Sequence, residues 1–368
     1  MSKTPTYFDL QINGHVSVRR WEWGGYPGIY DAHRILIAGP TGAGKSSFIE
    51  ALAGDKKLGI SKNQLEGYTQ SVTPYELVNA SFEGAPICLL DSPGFSDSNI
   101  SEMEVLNMLK QFLMDYNIKF VHSLLYFCPI TDVRLPGSRR KTIEMLRCLV
   151  RTQSISTSGG SRSNDGTLTV VTTMWDNVWN ERVRERAEGN LAQLRDEIFK
   201  DMIEHGAAIT QFMNTRDSAL EILDTGRSHW VRAPAHAYQE IVDEGPLGQR
   251  PHGYFLYQDL VERIANLRQR KTALEYDLAQ KETIENEDLK SSLEAAIDDT
   301  RRLLTKFEEQ LVEFGEPPCA LEIKPNISHQ VSKDSRSGTS IPNLSRLWVR
   351  NRLHHAHVFI KNTFSSNK

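Results

Sequence analysis

The stretch "RILIAGPTGAGKSSFIEALAG", residues 34–54, runs from an apolar β-branched segment through three glycines into a helical pattern. Its centre fits G-x-x-x-x-G-K-[ST] at each required position: Gly39, Pro40, Thr41, Gly42, Ala43, Gly44, Lys45 and Ser46, with Ser47 following. Glycines at these positions let successive backbone N–H groups turn inward around phosphate oxygens. The helix start adds the positive end of its dipole. Lys45 is then placed to reach β- and γ-phosphates, and the Ser46 hydroxyl to hold Mg²⁺. A glycine-rich turn could fit the pattern by chance. Strand, motif and helix in the required order argue instead for a polyphosphate site.

The second phrase is "PICLLDSPGF", residues 86–95, an apolar run closed by Asp91 and followed by Gly94. An aspartate at such a strand end can organise Mg²⁺ through its water shell, and the Gly94 N–H can meet a γ-phosphate. Ser92 stands where a transporter-type ATPase would place a catalytic glutamate. Between the two phrases, "LEGYTQSVTPYEL" offers Thr69 and Thr73 as hydroxyls that could close over Mg²⁺ and γ-phosphate. A carboxylate for guanine is expected in an [NT]-K-x-D pattern, and "VVTTMWD" supplies Thr173 and Asp176, with Met174 in the lysine position. An acceptor-only carboxylate suits the N1–H and amino donors of guanine. Further on, "TRDSALEIL" puts Ser218 and Ala219 where a backbone N–H commonly meets guanine O6.

Taken together, "GPTGAGKSS", "LEGYTQSVT", "CLLDSPGFSDS", "YFCPITDVRLPGS", "VVTTMWD" and "NTRDSALEIL" resemble the fungal G-domain-containing proteins, which are similar to septins and the immunity-associated nucleotide-binding GTPases. The resemblance spans residues 34–230. It implies a P-loop GTPase fold with GTP or GDP and Mg²⁺, and it selects Thr69 over Thr73 as the switch threonine. On that reading Lys45, Thr69 and Gly94 serve the reaction, and Ser46, Thr69 and Asp91 serve the metal. Phe95 occupies the place where Ras-like enzymes carry the glutamine that orients the attacking water, and its side chain cannot do so. Hydrolysis is therefore expected to be slow unless a second molecule supplies a group. Arg134, Arg139 and Arg140 are candidate fingers, although most such arginines are simply solvated.

Outward from these phrases, short apolar runs alternate with helical patterns over 45–53, 101–116, 138–151 and 178–204. That alternation predicts an α/β fold: a doubly wound, mostly parallel sheet of the P-loop NTPase kind. Residues 1–33 read as an aromatic, glycine-rich lead-in, 34–256 as the G domain, and "TSGGSRSNDGT" at 157–167 as a surface insertion. From 257 to 315 leucines and phenylalanines recur at three- and four-residue spacing, which predicts a long helix in a hairpin or coiled coil. The stripe makes self-association an expectation, through that helix or through the G domain. Residues 316–368 read as a basic disordered tail with one short helix over "LSRLWVRNRLHHAHVF" and at most a weak membrane-surface contact.

With 368 residues, 39% hydrophobic and 24% charged, the chain can bury a large core. A net charge of −4 gives no field to attract nucleic acid, and no partner of that kind is expected. Four scattered cysteines and a start without a basic, apolar leader fit a reducing, cytoplasmic setting. The leading expectation is a guanine-nucleotide switch with slow, assembly-stimulated hydrolysis. An interaction scaffold holding nucleotide as structure is the second reading, and an ATP-dependent enzyme the third.

Overall fold

The computed structural model describes residues 7–22, 28–29, 31–54, 58–60, 71–118, 121–131, 137–150, 152–155, 161–230 and 245–318. The chain divides at Gly245/Pro246 into two units. The first holds β1 (Leu10–Arg20), β2 (His33–Ala38), α1 (Lys45–Ala53), β3 (Thr73–Phe82), β4 (Ala85–Asp91), α2 (Glu102–Asp115), β5 (Ser123–Pro129) and α3 (Gly137–Val150). It continues with β6 (Thr152–Ile155), β7 (Ser161–Asn164), β8 (Leu168–Thr173), α4 (Glu181–Gln193), α5 (Lys200–Glu204), β9 (Ala208–Gln211) and α6 (Arg216–Trp230). Seven strands form one sheet in the order β1-β3-β4-β2-β5-β8-β9. The five from β4 to β9 run parallel, while β3 is antiparallel to both β4 and β1.

β2 lies at the centre because all six of its residues are buried, as a strand covered on both faces must be. Phe48 of α1 packs edge-on against Phe127 of β5 and Phe212, each 5.3 Å away, which fixes α1 over the sheet. Helix limits are set by local chemistry. Ser101 caps α2 by accepting from the Glu104 N–H (3.1 Å), and Asn180 caps α4 by accepting from the Val183 N–H (2.9 Å).

Three expectations change in detail. Residues 10–20 of the lead-in form β1, an edge strand of the main sheet. The single helix expected over 178–204 is interrupted by a π turn at Leu194–Ile198, where the Phe199 N–H reaches the Leu194 carbonyl (2.8 Å). The extra residue rephases the apolar stripe, and both Phe199 and Met202 beyond it are buried. The expected insertion at 157–167 contributes β7, paired antiparallel with β6. Cys88 and Cys128 are buried free thiols, as read from their apolar runs.

At the start of β2, His33 stacks on His122 (4.4 Å) and on Trp230 (5.6 Å), with Phe82 edge-on at 5.2 Å. Burial pushes the His33 imidazole down to about 2, helped by the charges of His122, Arg227 and Arg34. Burial likewise takes His122 down to about 3, with Arg34 and Arg227 adding. The unfolded chain protonates both below pH ~6.5, and the folded one does not. This contribution to stability is therefore complete above pH 6.5 and drains away as pH falls, at about 1.4 kcal/mol per unit for each ring. Denaturant titrations at pH 7 and pH 5 should show a loss of about 2 kcal/mol attributable to His33. A His33→Phe variant should lose that much less over the same interval; an equal loss would mean the imidazole is not the acid-sensitive group.

The second unit holds α7 (Gly253–Leu278), α8 (Lys281–Ile284) and α9 (Glu287–Phe314). α7 and α9 pack as a helical hairpin, with Leu256, Leu260, Ile264, Ile297, Phe307, Leu311 and Phe314 buried. Arg263 of α7 lies over the Phe307 ring of α9 (5.4 Å), and Arg268 pairs with Glu308 (2.5 Å). The periodic stripe thus has an intramolecular partner, so it does not by itself require a second copy. α7 starts at Gly253, ahead of the expected boundary, because a side chain there would strike the Leu247 carbonyl oxygen at 1.8 Å. Among the described residues, no helix is long and apolar enough to cross a membrane. The tail beyond residue 320 lies outside the described residues.

Candidate functional site: a phosphate cradle at the strand ends

β2 ends at Ala38 and α1 begins at Lys45, so the expected motif forms the connecting loop. Gly39 has φ 140° and Gly44 φ 89°, both in the region that favours glycine. A Cβ on Gly39 would lie 2.6 Å from the Phe127 carbonyl oxygen, so the loop runs flush against β5. Gly44 caps α1 without any side-chain hydrogen bond, the arrangement in which first-turn N–H groups face an anion. The Lys45 ammonium donates to the carbonyls of Gly39 (2.9 Å) and Pro40 (3.0 Å), curled back over the loop. Burial pushes it down to about 8, while the charges of Asp91 and Asp97 pull it upward.

The D-x-x-G turn closes against this loop. Asp91 ends β4 in register with Ile37 of β2 and is 2% exposed. The Ser92 hydroxyl donates to the Ile37 carbonyl (2.8 Å), and the Phe95 N–H donates to the Gly39 carbonyl (3.1 Å). Gly94 touches Thr41 so closely that a Cβ would fall 2.1 Å from the Thr41 hydroxyl. That hydroxyl donates to the Asp97 carboxylate (2.8 Å), a contact the sequence reading did not contain. Phe95 is 1% exposed, buried as an apolar plug. Behind it, Glu102 accepts from the Ser96 N–H (3.1 Å) and the Thr142 hydroxyl (2.7 Å), tying the turn to α2 and α3.

The expected base motif follows β8. The Thr173 hydroxyl donates to the Ala43 carbonyl (2.8 Å), so this side chain braces the phosphate loop. Met174 takes a left-handed φ of 64°, and the Thr131 hydroxyl lies 3.4 Å from its sulfur. That turn brings out Asp176, which is exposed and accepts from Asn214 Nδ2 (2.9 Å). Ser218 and Ala219 do not serve as expected. Their N–H groups donate to the Thr215 hydroxyl (3.2 Å) and the Thr215 carbonyl (3.1 Å), inside the first turn of α6. The loop residue that reaches Asp176 is Asn214, and "FMNT" directly after β9 was its only sequence signal.

Thr69 lies outside the described residues, and so does Arg134. Thr73 opens β3 opposite Asp91, with its hydroxyl 3.5 Å from the Ser71 carbonyl. Arg139 and Arg140 fall in the first turns of α3, and their side chains are outside what the structure describes. Ser46 sits half-buried in the first turn of α1. A hydroxyl there and a buried carboxylate at Asp91 are hard oxygen donors, the set that suits Mg²⁺ with water and phosphate completing its shell.

A cradle, a D-x-x-G turn and an aspartate loop at the ends of neighbouring parallel strands define a P-loop GTPase domain, of the class built on a mostly parallel α/β sheet. Consistent with this, residues 34–147 match the family described as 50S ribosome-binding GTPase. The chain is similar to translocase of chloroplast 34 from Pisum sativum, at 33% identity over 25% of this chain and 27% of that protein. The Arabidopsis thaliana protein of the same name is 29% identical over 23% of this chain and 25% of its own length. A "probable GTP-binding protein EngB" from Lawsonia intracellularis is 32% identical over 29% of this chain and 48% of that protein. The chain thus spans between about a quarter and a half of the relatives it matches.

Proposed function

We propose that this protein is a guanine-nucleotide switch with slow, Mg²⁺-dependent GTP hydrolysis that rises on assembly. The observation that carries the reading is the convergence of three separate segments at the strand ends: the Lys45 loop, the Asp91–Gly94 turn and the Asp176–Asn214 pair. Ser46, Asp91 and Thr69 would hold Mg²⁺, which supplies charge neutralisation between β- and γ-phosphates. Gly94 would meet the γ-phosphate, and Asp176 the guanine edge. The buried Phe95 supports a low basal rate, because its ring cannot orient water. The same residue favours the second reading, a nucleotide-bound scaffold. Single-turnover GTP hydrolysis measured across protein concentration separates the two. A specific rate that climbs at least threefold with concentration supports assembly stimulation through the G domain or the helical hairpin. A constant rate removes assembly from the proposal, and none at any concentration leaves the scaffold.

A further inference from the structure

We propose that Asp97 is the residue that orients the attacking water in GTP hydrolysis, with Thr41 as its positioning residue; this rests on the GTPase reading above. The expected glutamine position is taken by Phe95, whose burial at 1% exposure removes it from the reaction space. Two residues further along the same turn, Asp97 returns to the phosphate loop. It accepts from the Thr41 hydroxyl at the loop apex (2.8 Å), and from the Asn99 N–H (2.8 Å) on its own side. The Lys45 ammonium, the group aimed at the β- and γ-phosphates, feels the Asp97 charge as well as that of Asp91. Three contacts therefore hold this carboxylate on the γ-phosphate side of the cradle: Phe95 to Gly39, Gly94 against Thr41, and Thr41 to Asp97.

A carboxylate only accepts hydrogen bonds, which is what the two protons of an attacking water require. The nearby ammonium and the Thr41 hydroxyl offset its repulsion of the phosphates. In the step itself the water oxygen bonds to the γ-phosphorus as the bond from that phosphorus to the β–γ bridging oxygen breaks. GDP leaves with the bonding pair. The water proton passes to the Asp97 carboxylate and on to the released phosphate or solvent, so the carboxylate is regenerated. The gain is one of position, since phosphoryl transfer is governed by alignment and electrostatics more than by strong base chemistry.

The experiment uses the full-length protein, with GTP and GDP affinities and single-turnover hydrolysis measured on each variant. Asp97→Asn should lower the hydrolysis rate about 30-fold or more while both affinities stay within about threefold, because an oriented acceptor acts mainly in the transition state. Asp97→Glu should recover part of the rate. Thr41→Val should slow hydrolysis about tenfold and Thr41→Ser should restore it, since only the hydroxyl holds Asp97. The double variant Thr41→Val, Asp97→Asn should be no slower than Asp97→Asn alone, the mark of residues acting as one unit. A rate in Asp97→Asn within threefold of wild type overturns the proposal, and so does a loss confined to affinity. Wild type that binds GTP and never turns it over also overturns it, leaving nucleotide binding intact. Wild type that binds no guanine nucleotide overturns the function reading along with it.

Discussion

Lys45→Ala is expected to lose about 100- to 1000-fold in affinity for a triphosphate, since truncating one partner of a buried charge pair costs about 3–4 kcal/mol. The loop should survive, because its shape comes from the left-handed glycines at 39, 42 and 44 and from the Thr173 brace at Ala43. Without ligand the ammonium is held by the Gly39 and Pro40 carbonyls, and a phosphate has only to turn it outward. The pH dependence gives a second readout. Burial pushes Lys45 down to about 8, so the free protein carries the charge below that pH and sheds it above. A bound phosphate favours the charged form and raises the pKa. Triphosphate affinity should therefore weaken as pH rises from 7 to 9 in the wild type, and far less in Lys45→Ala. Equilibrium binding at three pH values tests both arms; unchanged affinity in a folded variant would remove Lys45 from the phosphate site.

Asp176→Asn should reverse the order of guanine and xanthine nucleotides. The Asp176 carboxylate accepts from Asn214 at Oδ2, which leaves the other oxygen toward the base. In the variant, the amide carbonyl keeps the Asn214 donor and the new NH₂ faces the ligand. Against guanine that NH₂ opposes N–H donors, at about 1–3 kcal/mol for each buried group left unpaired, so GTP affinity should fall about tenfold or more. Xanthine carries a carbonyl where guanine has its amino group and can accept from the amide. The ratio of the two affinities should shift by about 100-fold or more. Competition binding with GTP, XTP and ATP decides it. The same order before and after substitution would mean that Asp176 does not read the base.

Much of this site could be read from residues in a row. The phosphate loop was legible because its chemistry is contiguous: strand, glycines, lysine and helix occupy 34–54, and α1 begins and ends where the pattern placed it. Asp91 was legible for the same reason, as the last residue of a buried run. The base side was read less well. Thr173 and Asp176 follow β8 as expected, yet Thr173 turns toward Ala43, across the gap between two strands that are distant in sequence. Ser218 and Ala219 matched a local pattern, but the Thr215 cap draws both N–H groups into α6. No local rule says which residue of a loop will lie beside the end of another strand. The Thr41–Asp97 contact was invisible for that reason also, since it depends on the D-x-x-G turn lying down on the loop. The hairpin lay between the two: periodicity gave the stripe, but only the fold supplied its partner.

β1 carries a practical lesson for anyone cutting the chain. The recognised family stretch opens at residue 34, and an expression fragment would naturally start there. Such a fragment lacks the strand that covers β3, leaving a ten-residue row of amide and carbonyl groups bare at the rim. Exposed rims of that length template the addition of further chains. It also takes away the N–H groups of Phe8, Asp9 and Leu10, which all converge on the Asp224 carboxylate of α6 at 2.9, 2.7 and 2.7 Å. Arg216, at the head of that helix and two residues past Asn214, loses the Val16 carbonyl it holds. Trimming at the textual boundary would therefore slacken the grip on the base and seed precipitation, while a clone that keeps the first twenty-two residues should stay in solution and hold its nucleotide.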